Sequence, residues 1–334
     1  MITGGRGVGK TTLLNELFPY PLSGITTYAE PKKAVYLNEN GTTNEITVGI
    51  YDESLPGKEN KMRPLAEAFA SRGTALLEKL SCCADEWISV DEIGYLETEC
   101  PEYCNALKML MERKRVIAVV RKQSLPFLQL LINRKDVFLI DLDDPFGNVS
   151  CVIMASGMGT RFGGNKLMAD FHGKPMILRA MEATEGIFKK RIVVTRHDDV
   201  AALCHVHGIE SLLHDLPYRN DTVRLGVEAV GETEACVFCP GDQPLLRQET
   251  VVSLALAARN SPNEIWRINF EGTPGAPVLF PKWTFAELSA LPQGKGGGFL
   301  VKKYPERVRM ISAQNQFELM DTDTPEDLEF LLRQ

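Results

Sequence analysis

Short apolar runs alternate along the chain with longer stretches in which apolar residues recur at helical spacing. Residues 87–90 and 116–120 have the length and composition of buried strands, and so do residues 137–142. Residues 64–80 and 101–112 lie between such runs and have the pattern of amphipathic helices. Strands that alternate with helices in this way predict an α/β fold with a mostly parallel sheet.

A hairpin interrupts this alternation near the N-terminus. The apolar runs 34–37 and 46–51 flank Asn40 and Gly41, and an Asn-Gly pair favours the tight turn that joins antiparallel strands. We therefore expect these two runs to pair with each other.

The pattern breaks at residues 141–148, where acidic residues, proline and glycine replace the apolar run. Strand-like runs resume at Cys151 and recur at residues 191–195, 235–239, 277–280 and 308–312. We therefore predict two α/β domains, residues 1–147 and residues 148–334. No internal sequence repeat relates them.

Length and composition agree with this division. A chain of 334 residues exceeds what one hydrophobic core usually supports, and 44% hydrophobic with 24% charged residues is typical of a soluble globular protein. The net charge of −7 is spread without a basic block, which argues against nucleic acid as a partner. No apolar run reaches the length of a membrane span and no signal-peptide pattern is present, so we expect no membrane partner and a cytoplasmic location.

The cysteines and histidines do not indicate a metal centre. Cys236 and Cys239 have CxxC spacing, but they lie in an apolar run that predicts a strand, on which residues alternate between faces. His205 and His207 have no cysteine or carboxylate partners at ligand spacing. We expect the cysteines to be reduced.

A glycine-rich loop opens the first domain. Residues 4–11, Gly-Gly-Arg-Gly-Val-Gly-Lys-Thr, fit the pattern GxxxxGK[ST], in which backbone N–H groups hold a triphosphate. In this pattern Lys10 reaches the outer phosphates and the hydroxyl of Thr11 binds Mg²⁺. A glycine-rich turn that only resembles the motif is the alternative. The predicted nucleotide-binding residues are Gly4, Gly7, Gly9, Lys10, Thr11 and Thr12.

Two adjacent carboxylates support the nucleotide-binding interpretation. The apolar run 87–90 ends in Asp91 and Glu92, so both carboxylates are predicted at the end of a strand. Asp91 suits the metal shell, and Glu92 suits the orientation or deprotonation of the attacking water. An acidic strand end without a catalytic role is the alternative, and the upstream loop makes it less favoured.

These segments resemble a small nucleoside-triphosphatase family of bacteria and archaea. The N-terminal loop, the run Asp-Glu-Ile-Gly-Tyr-Leu-Glu at residues 91–97 and the run Val-Ile-Ala-Val-Val-Arg at residues 116–121 carry the resemblance, which covers about residues 1–143. It implies hydrolysis of ATP or GTP. Because only three residues precede the loop, the first strand is predicted to be short. Arg121 stands where such families often have His or another polar group, and we assign it no role.

A second glycine-rich loop opens the second domain. Residues 155–166, Ala-Ser-Gly-Met-Gly-Thr-Arg-Phe-Gly-Gly-Asn-Lys, do not fit a dinucleotide-binding GxGxxG pattern, because Phe162 occupies the last glycine position. They do not fit GxxxxGK[ST] either, because Leu167 follows Lys166. Its glycines permit close approach of the main chain to a ligand, and Arg161 and Lys166 place two positive charges in the same loop. A solvated basic turn is the alternative.

Acidic residues further along the chain are candidates for a metal site. An apolar strand breaks at residues 241–242, Gly-Asp, where α/β sheets present ligands, so Asp242 is a predicted Mg²⁺ ligand. Downstream, a Thr-Pro-Glu-Asp run is explained by a helix start, which leaves Asp321 and Asp323 unexplained. We predict Asp323 as the second metal carboxylate and Asp321 as the alternative.

The loop and the acidic segments resemble the nucleotidyltransferases that modify molybdopterin, from about residue 150 to residue 332. The runs Gly-Asp-Gln-Pro and Asp-Thr-Asp-Thr-Pro-Glu-Asp-Leu follow the loop in the family's order, and residues 220–226, 275–280 and 294–298 are also similar. Gly-Asp-Gln-Pro is nearer to the cytidylyltransferases than to the guanylyltransferases. The resemblance implies a Rossmann-like, GT-A-like domain whose nucleotide-binding residues are Ala155, Gly157, Gly159, Arg161 and Lys166.

The resemblance also implies a reaction. Mg²⁺ held by Asp242 and Asp323 would bridge the α-phosphate of CTP, or of another nucleoside triphosphate, and the terminal phosphate of a molybdopterin-type acceptor, which attacks and expels pyrophosphate. The whole chain would then be a bifunctional protein of molybdenum cofactor maturation, with a molybdoenzyme as candidate client. A nucleotide-gated delivery protein and a sugar-phosphate nucleotidyltransferase are the alternatives. The predicted catalytic residues are Glu92, Arg161, Lys166 and Asp242.

Overall fold

The computed structural model describes residues 1–56 and 61–334. The chain divides into two compact units, Met1–Pro145 and Phe146–Gln334. The division lies two residues before the boundary predicted at residue 147. Each unit combines one β-sheet with helices.

The first unit contains a mixed sheet in its described residues. Its strands are β1 (Ile2–Thr3), β2 (Gly24–Glu30), β3 (Ala34–Glu39), β4 (Glu45–Tyr51), β5 (Met62–Pro64), β6 (Trp87–Ile93), β7 (Arg115–Val120) and β8 (Ile140–Asp141), in the order β5-β4-β3-β2-β6-β7-β1-β8. The pairs β2–β6, β6–β7, β7–β1 and β1–β8 are parallel. The pairs β2–β3, β3–β4 and β4–β5 are antiparallel. The sheet is therefore only partly parallel: beyond the predicted hairpin of β3 and β4, the strands β2 and β5 also pair antiparallel with their neighbours.

The helices of the first unit cover the sheet. They are α1 (Lys10–Glu16), α2 (Ala66–Ala68), α3 (Thr74–Cys82), α4 (Tyr95–Thr98), α5 (Pro101–Arg113) and α6 (Pro126–Ile132), and a π-helical segment, Phe69–Gly73, joins α2 to α3. The rings of Phe69 and Tyr103 pack 4.9 Å apart in the core. Gly73 allows this contact, because a Cβ there would lie 3.1 Å from the Tyr103 ring. The helix predicted from residue 64 begins two residues later, because Pro64 ends β5.

Predicted strands of the first unit are largely present. The hairpin around Gly41 is confirmed, since β3 and β4 pair antiparallel and Gly41 has a φ of 74°. The strand predicted at residues 137–142 is limited to Ile140–Asp141. Since β1, β6 and β7 are parallel, the segments after their last residues share one edge of the sheet.

The second unit contains a sheet in which one strand runs against its neighbours. Its strands are β9 (Val149–Ala155), β10 (Lys190–Thr195), β11 (Glu210–Leu213), β12 (Ala235–Pro240), β13 (Ile265–Phe270), β14 (Thr273–Pro281) and β15 (Val308–Ser312), in the order β11-β10-β9-β12-β14-β13-β15. β14 is antiparallel to β12 and β13, and the other pairs are parallel. The carboxyl ends of β9 and β12 therefore lie side by side.

Helices lie on both faces of this sheet. They are α7 (Ile177–Ala183), α8 (Asp198–Val206), α9 (Arg219–Val230), α10 (Gln248–Asn260), α11 (Phe285–Ser289), α12 (Gly298–Lys303) and α13 (Pro325–Leu331). Gly226 brings α9 close to β9, because a Cβ there would lie 2.8 Å from Val152. Cys236 and Cys239 are buried in the clusters on opposite faces, as their alternation predicts. In the described parts of the chain, no helix has the length and apolarity to cross a membrane.

Candidate active sites

The glycine-rich loop of the first unit follows β1 directly. Gly4, Gly7 and Gly9 have φ values of 145°, 77° and 93°, a conformation that favours glycine. The ammonium group of Lys10 donates to the carbonyl oxygens of Gly4 at 3.1 Å and Gly5 at 2.6 Å. The Lys10 side chain therefore folds back over the glycine-rich loop.

Asp91 is brought to this loop by β6. The side chain of Asp91 is buried, and Thr11 Oγ1 donates to Asp91 Oδ1 at 3.3 Å. Burial raises the pKa of Asp91, although the hydrogen bond from Thr11 opposes the shift. A hydroxyl and a carboxylate oxygen thus lie together, and both are ligands that Mg²⁺ accepts.

The carboxylate of Glu92 is paired with the side chain of Arg121. Arg121 Nε donates to Glu92 Oε1 at 2.6 Å and Nη2 donates to Oε2 at 3.1 Å. Hydrogen bonding to Glu92 raises the pKa of Arg121. The register of β6 on β7 shifts between Asp91 and Ile93, so Glu92 lies at an irregularity of the strand.

Residues at the ends of β7 and β8 form a hydrogen-bonded group that contacts the loop. The Gly5 N–H donates to both carboxylate oxygens of Asp143, at 3.0 and 2.9 Å. Lys122 pairs with Asp141 and Asp143, with Nζ–Oδ2 distances of 2.9 Å each. The acidic run that marked the domain boundary in the sequence therefore also supports the loop.

The glycine-rich loop of the second unit folds back on itself after β9. Gly159 has a φ of 59°, and a Cβ there would lie 2.1 Å from the carbonyl oxygen of Gly164. His197, which follows β10, contacts the carbonyl oxygen of Gly157 through Nε2 at 2.8 Å. His214, which follows β11, contacts Ser156 Oγ through Nε2 at 2.9 Å. The neighbouring strands thus fix the start of the loop.

Four charged side chains converge at this edge of the second sheet. Lys166 Nζ lies 2.6 Å from Asp242 Oδ2 and 3.0 Å from Asp323 Oδ1, and Arg161 Nη2 lies 2.7 Å from Asp323 Oδ2. The Lys166 side chain is 8% exposed. Burial would lower its pKa, but the charges and hydrogen bonds of the two carboxylates outweigh burial and raise the pKa. The hydrogen bond from Lys166 lowers the pKa of Asp323.

Hydrogen bonds between two loops bring these carboxylates together. The Thr322 N–H donates to the carbonyl oxygen of Asp242 at 2.9 Å, and Gln243 Nε2 donates to Asp321 Oδ1 at 2.9 Å. Desolvation raises the pKa of Asp321, and the charge of Asp242 adds to the shift. Asp321 is thus engaged by Gln243, whereas Asp323 meets Lys166 and Arg161.

A glycine-rich segment at residues 294–298 packs against the start of α9. The Gly294 N–H donates to Asn220 Oδ1 at 2.8 Å. A Cβ at Gly296 would lie 2.9 Å from Arg219 Nε, and one at Gly297 would lie 2.6 Å from the Phe280 ring. Glycine therefore permits this segment to lie flat on its neighbours.

Comparison with known families agrees with these two sites. Residues 1–145 match the family model described as NTPase, and residues 151–308 match the model described as MobA-like NTP transferase domain. The chain joins an NTPase domain to a MobA-like NTP transferase domain. The resemblances predicted from the motifs are thereby confirmed, as is the fold class of two α/β domains.

Individual relatives match parts of the chain. Nucleoside-triphosphatase THEP1 of Thermotoga maritima is 28% identical over 162 residues, which are 43% of this chain and 86% of that protein. A 3-deoxy-manno-octulosonate cytidylyltransferase of Neisseria meningitidis is 35% identical over 92 residues, 26% of this chain. That match spans only 36% of the cytidylyltransferase. Among solved structures, Rv0371c of Mycobacterium tuberculosis shares the fold, with a TM-score of 0.51 and 21% identity over 56% of this chain and 99% of that chain.

The transferase domain has donors that suit a divalent cation. The Lys166 ammonium shows that oxygens of Asp242 and Asp323 can converge on one positive charge. In the ranges that the structure describes, no group of three or more His, Cys, Asp or Glu side chains forms a metal cage. Two carboxylates nevertheless fit Mg²⁺, which is usually held by one or two carboxylates together with substrate phosphates and water.

Several residues of the two sites were not predicted from the sequence. Arg121 in the NTPase domain, and Gln243, His197 and His214 in the transferase domain, contact predicted site residues. Arg121 and the histidines directly follow strands or lie within two residues of their ends, and this position is the signal that would have indicated them.

Proposed function

We propose that the transferase domain transfers CMP from CTP to the terminal phosphate of a molybdopterin-type acceptor and releases pyrophosphate, in the cytoplasm. The convergence of Asp242 and Asp323 with Lys166 and Arg161 carries the proposal. Two carboxylates for a metal and two cations for phosphates suit a reaction in which negative charge develops on the leaving pyrophosphate.

The proposed chemistry requires no protein nucleophile. An oxygen of the acceptor phosphate bonds to the α-phosphorus of CTP, and the bond from that phosphorus to the α–β bridging oxygen breaks. Asp242 and Asp323 would hold Mg²⁺, which when bound neutralises charge on the reacting phosphates. Lys166 and Arg161 bind the triphosphate and stabilise the pyrophosphate, while Gly157 and Gly159 let the main chain approach it.

Similarity to named proteins supports the choice of nucleotide and acceptor. The matching family model is described as MobA-like, and a partial relative is named as a cytidylyltransferase. The Gly-Asp-Gln-Pro run, which places Asp242 after β12, is nearer to the molybdopterin cytidylyltransferases. CTP and a molybdopterin-type phosphate are therefore the first substrates to test.

For the NTPase domain we propose hydrolysis of ATP or GTP. Lys10 and the glycine-rich loop would bind the phosphates, and Thr11 and Asp91 would hold Mg²⁺. Glu92 would orient or deprotonate the attacking water. The contact between the Thr11 hydroxyl and the Asp91 carboxylate supports this assignment.

An assay of every nucleotide with every acceptor tests the proposed transfer. The full chain is incubated with Mg²⁺, with CTP, GTP, ATP or UTP, and with molybdopterin or a sugar acid, and release of pyrophosphate is measured. We expect release with CTP and molybdopterin, and its loss in Asp242→Asn. Failure of every nucleotide with molybdopterin would contradict the proposal.

A sugar acceptor is the second candidate. The partial relative is named for transfer to 3-deoxy-manno-octulosonate, an acidic sugar, and the same four charged side chains would serve that reaction. The two candidates differ in acceptor alone. Pyrophosphate release with the sugar acid but not with molybdopterin would favour the second.

A further inference from the structure

The ion pair between Arg121 and Glu92 engages both oxygens of the carboxylate that we assign to water activation. The two N–O distances are 2.6 and 3.1 Å, which is the fork geometry of the strongest arginine–carboxylate pairs. The side chains remain 41% and 26% exposed. Both carboxylate oxygens of Glu92 already accept hydrogen bonds from the guanidinium, so the pair must open before an oxygen of Glu92 can contact the attacking water.

The backbone of Arg121 lies level with the start of the phosphate loop. Ile2 of β1 pairs with Val119 of β7, so two residues further along Arg121 is level with Gly4, the first residue of the phosphate loop. The Arg121 N–H donates to the carbonyl oxygen of Ile93 at 2.8 Å, which extends the pairing of β7 with β6 by one residue. The backbone thus holds the arginine level with the start of the loop, and its side chain is 41% exposed.

Gly94 provides the space for this side chain. A Cβ at Gly94 would lie 2.8 Å from Arg121 Cδ and 3.3 Å from Nε. The side chain therefore lies directly across the glycine of the Asp-Glu-Ile-Gly run. Glycine at this position leaves the room that the arginine side chain occupies beside Glu92.

We propose that Arg121 is a triphosphate-sensing catalytic residue, which leaves Glu92 for the γ-phosphate when a nucleoside triphosphate binds. This inference rests on the hydrolysis proposed for the NTPase domain. A terminal phosphate offers more charge and more acceptor oxygens than a carboxylate. Once released, Glu92 accepts a proton from water, the water oxygen bonds to the γ-phosphorus, and the bond from that phosphorus to the β–γ bridging oxygen breaks. The products are nucleoside diphosphate and phosphate, and Arg121 stabilises the charge on the transferred group.

Nucleotide binding tests the proposal without turnover. In the full chain, Arg121→Ala is expected to weaken binding of a non-hydrolysable ATP or GTP analogue by at least about tenfold, because a charge-assisted contact to the γ-phosphate is lost. Binding of the corresponding diphosphate is expected to change by less than about twofold. Arg121→Lys, which keeps the charge but not the fork, is expected to recover part of the preference for the triphosphate.

The control is another bidentate pair of the same domain. Arg134 donates to Asp136 at 2.9 and 2.7 Å, and Arg134→Ala is expected to leave both affinities unchanged. Equal losses for triphosphate and diphosphate in Arg121→Ala, or no loss for either, would overturn the proposal. Absence of hydrolysis by the wild-type chain would contradict the proposed NTPase function, and the binding comparison would still decide the role of Arg121.

Discussion

At the level of single residues, the position of Lys166 distinguishes two carboxylates that are close in sequence. Asp323 contacts Lys166 and Arg161, whereas Asp321 accepts a hydrogen bond from Gln243. We expect Asp323→Asn to lower kcat of nucleotidyl transfer by on the order of 10²- to 10³-fold, because a metal carboxylate and the partner of two cations are lost together. The measurement is steady-state release of pyrophosphate at saturating nucleotide.

Asp321→Asn is the matched control for this prediction. It removes a charge two residues away while an amide oxygen can still accept from Gln243, so a loss of no more than about tenfold is expected. If Asp321→Asn proved the more damaging change, the metal assignment would pass from Asp323 to Asp321.

A second residue-scale prediction concerns the turn in the transferase loop. Alanine at Gly159 would combine a φ of 59° with a Cβ only 2.1 Å from the Gly164 carbonyl oxygen. We expect Gly159→Ala to lower the free energy of unfolding by about 1–3 kcal/mol, measured from the thermal transition of this domain. Gly157→Ala meets no atom within 4 Å and is expected to change stability by less than about 0.5 kcal/mol.

Site residues that belong to a sequence motif were predicted, whereas residues that only the fold brings to the site were not. Lys166, Asp242 and Asp323 were predicted from three separate segments, and the structure places an oxygen of each carboxylate within 3.0 Å of the Lys166 ammonium. The metal role of the carboxylates stays a prediction. Arg121 was assigned no role because it departs from the resembled family. Its pairing with Glu92, 29 positions earlier on a neighbouring strand, cannot be read from linear spacing.

At the level of elements, a buried carboxylate lies in the short helix that follows β6. Glu97 in α4 is 3% exposed, and its Oε2 accepts from the Gly94 N–H at 2.7 Å. Burial raises its pKa from 4.5 to about 7. At a pH between 4.5 and about 7, Glu97 is therefore still protonated in the folded protein but ionised in the unfolded chain.

This proton predicts how stability depends on pH. The free energy of unfolding is expected to fall as the pH rises from about 4.5 to about 7, by on the order of 3 kcal/mol, because the folded state then binds more protons than the unfolded state. Glu97→Gln should remove this decline, which denaturant unfolding of the first domain at several pH values would measure. Glu99→Gln changes an exposed carboxylate of the same segment and should retain it. A decline of equal size in both variants would contradict the assignment to Glu97.

Element types were more predictable from the sequence than their pairing. The hairpin turn at Gly41 and the helix from Pro101 were predicted, because turn chemistry and apolar spacing are local. The strand predicted at residues 137–142 was too long, because only Ile140–Asp141 of this apolar run forms a strand. The antiparallel pairings of β2 with β3 and of β4 with β5 were not predicted, because neither β2 nor β5 was predicted as a strand.

At the level of the whole molecule, each site takes its groups from one unit. Thr11, Asp91 and Glu92 belong to Met1–Pro145, and Lys166 and Asp323 belong to Phe146–Gln334. The two units also have separate hydrophobic clusters. A substitution at one site is therefore expected to leave the side chains of the other site in place.

The two activities should then be separable by single substitutions in the full chain. Lys10→Ala removes the cation that reaches the outer phosphates and is expected to lower hydrolysis by on the order of 10²-fold or more, while nucleotidyl transfer changes by less than about threefold. Asp242→Asn is expected to have the opposite effect, since it leaves the NTPase loop unchanged. Release of phosphate measures hydrolysis and release of pyrophosphate measures transfer, and both are assayed for each variant. The double variant is expected to lose both activities. A large fall in transfer in Lys10→Ala, with the transferase domain still folded by its thermal transition, would mean that nucleotide at the first site controls the second, as a nucleotide-gated protein requires.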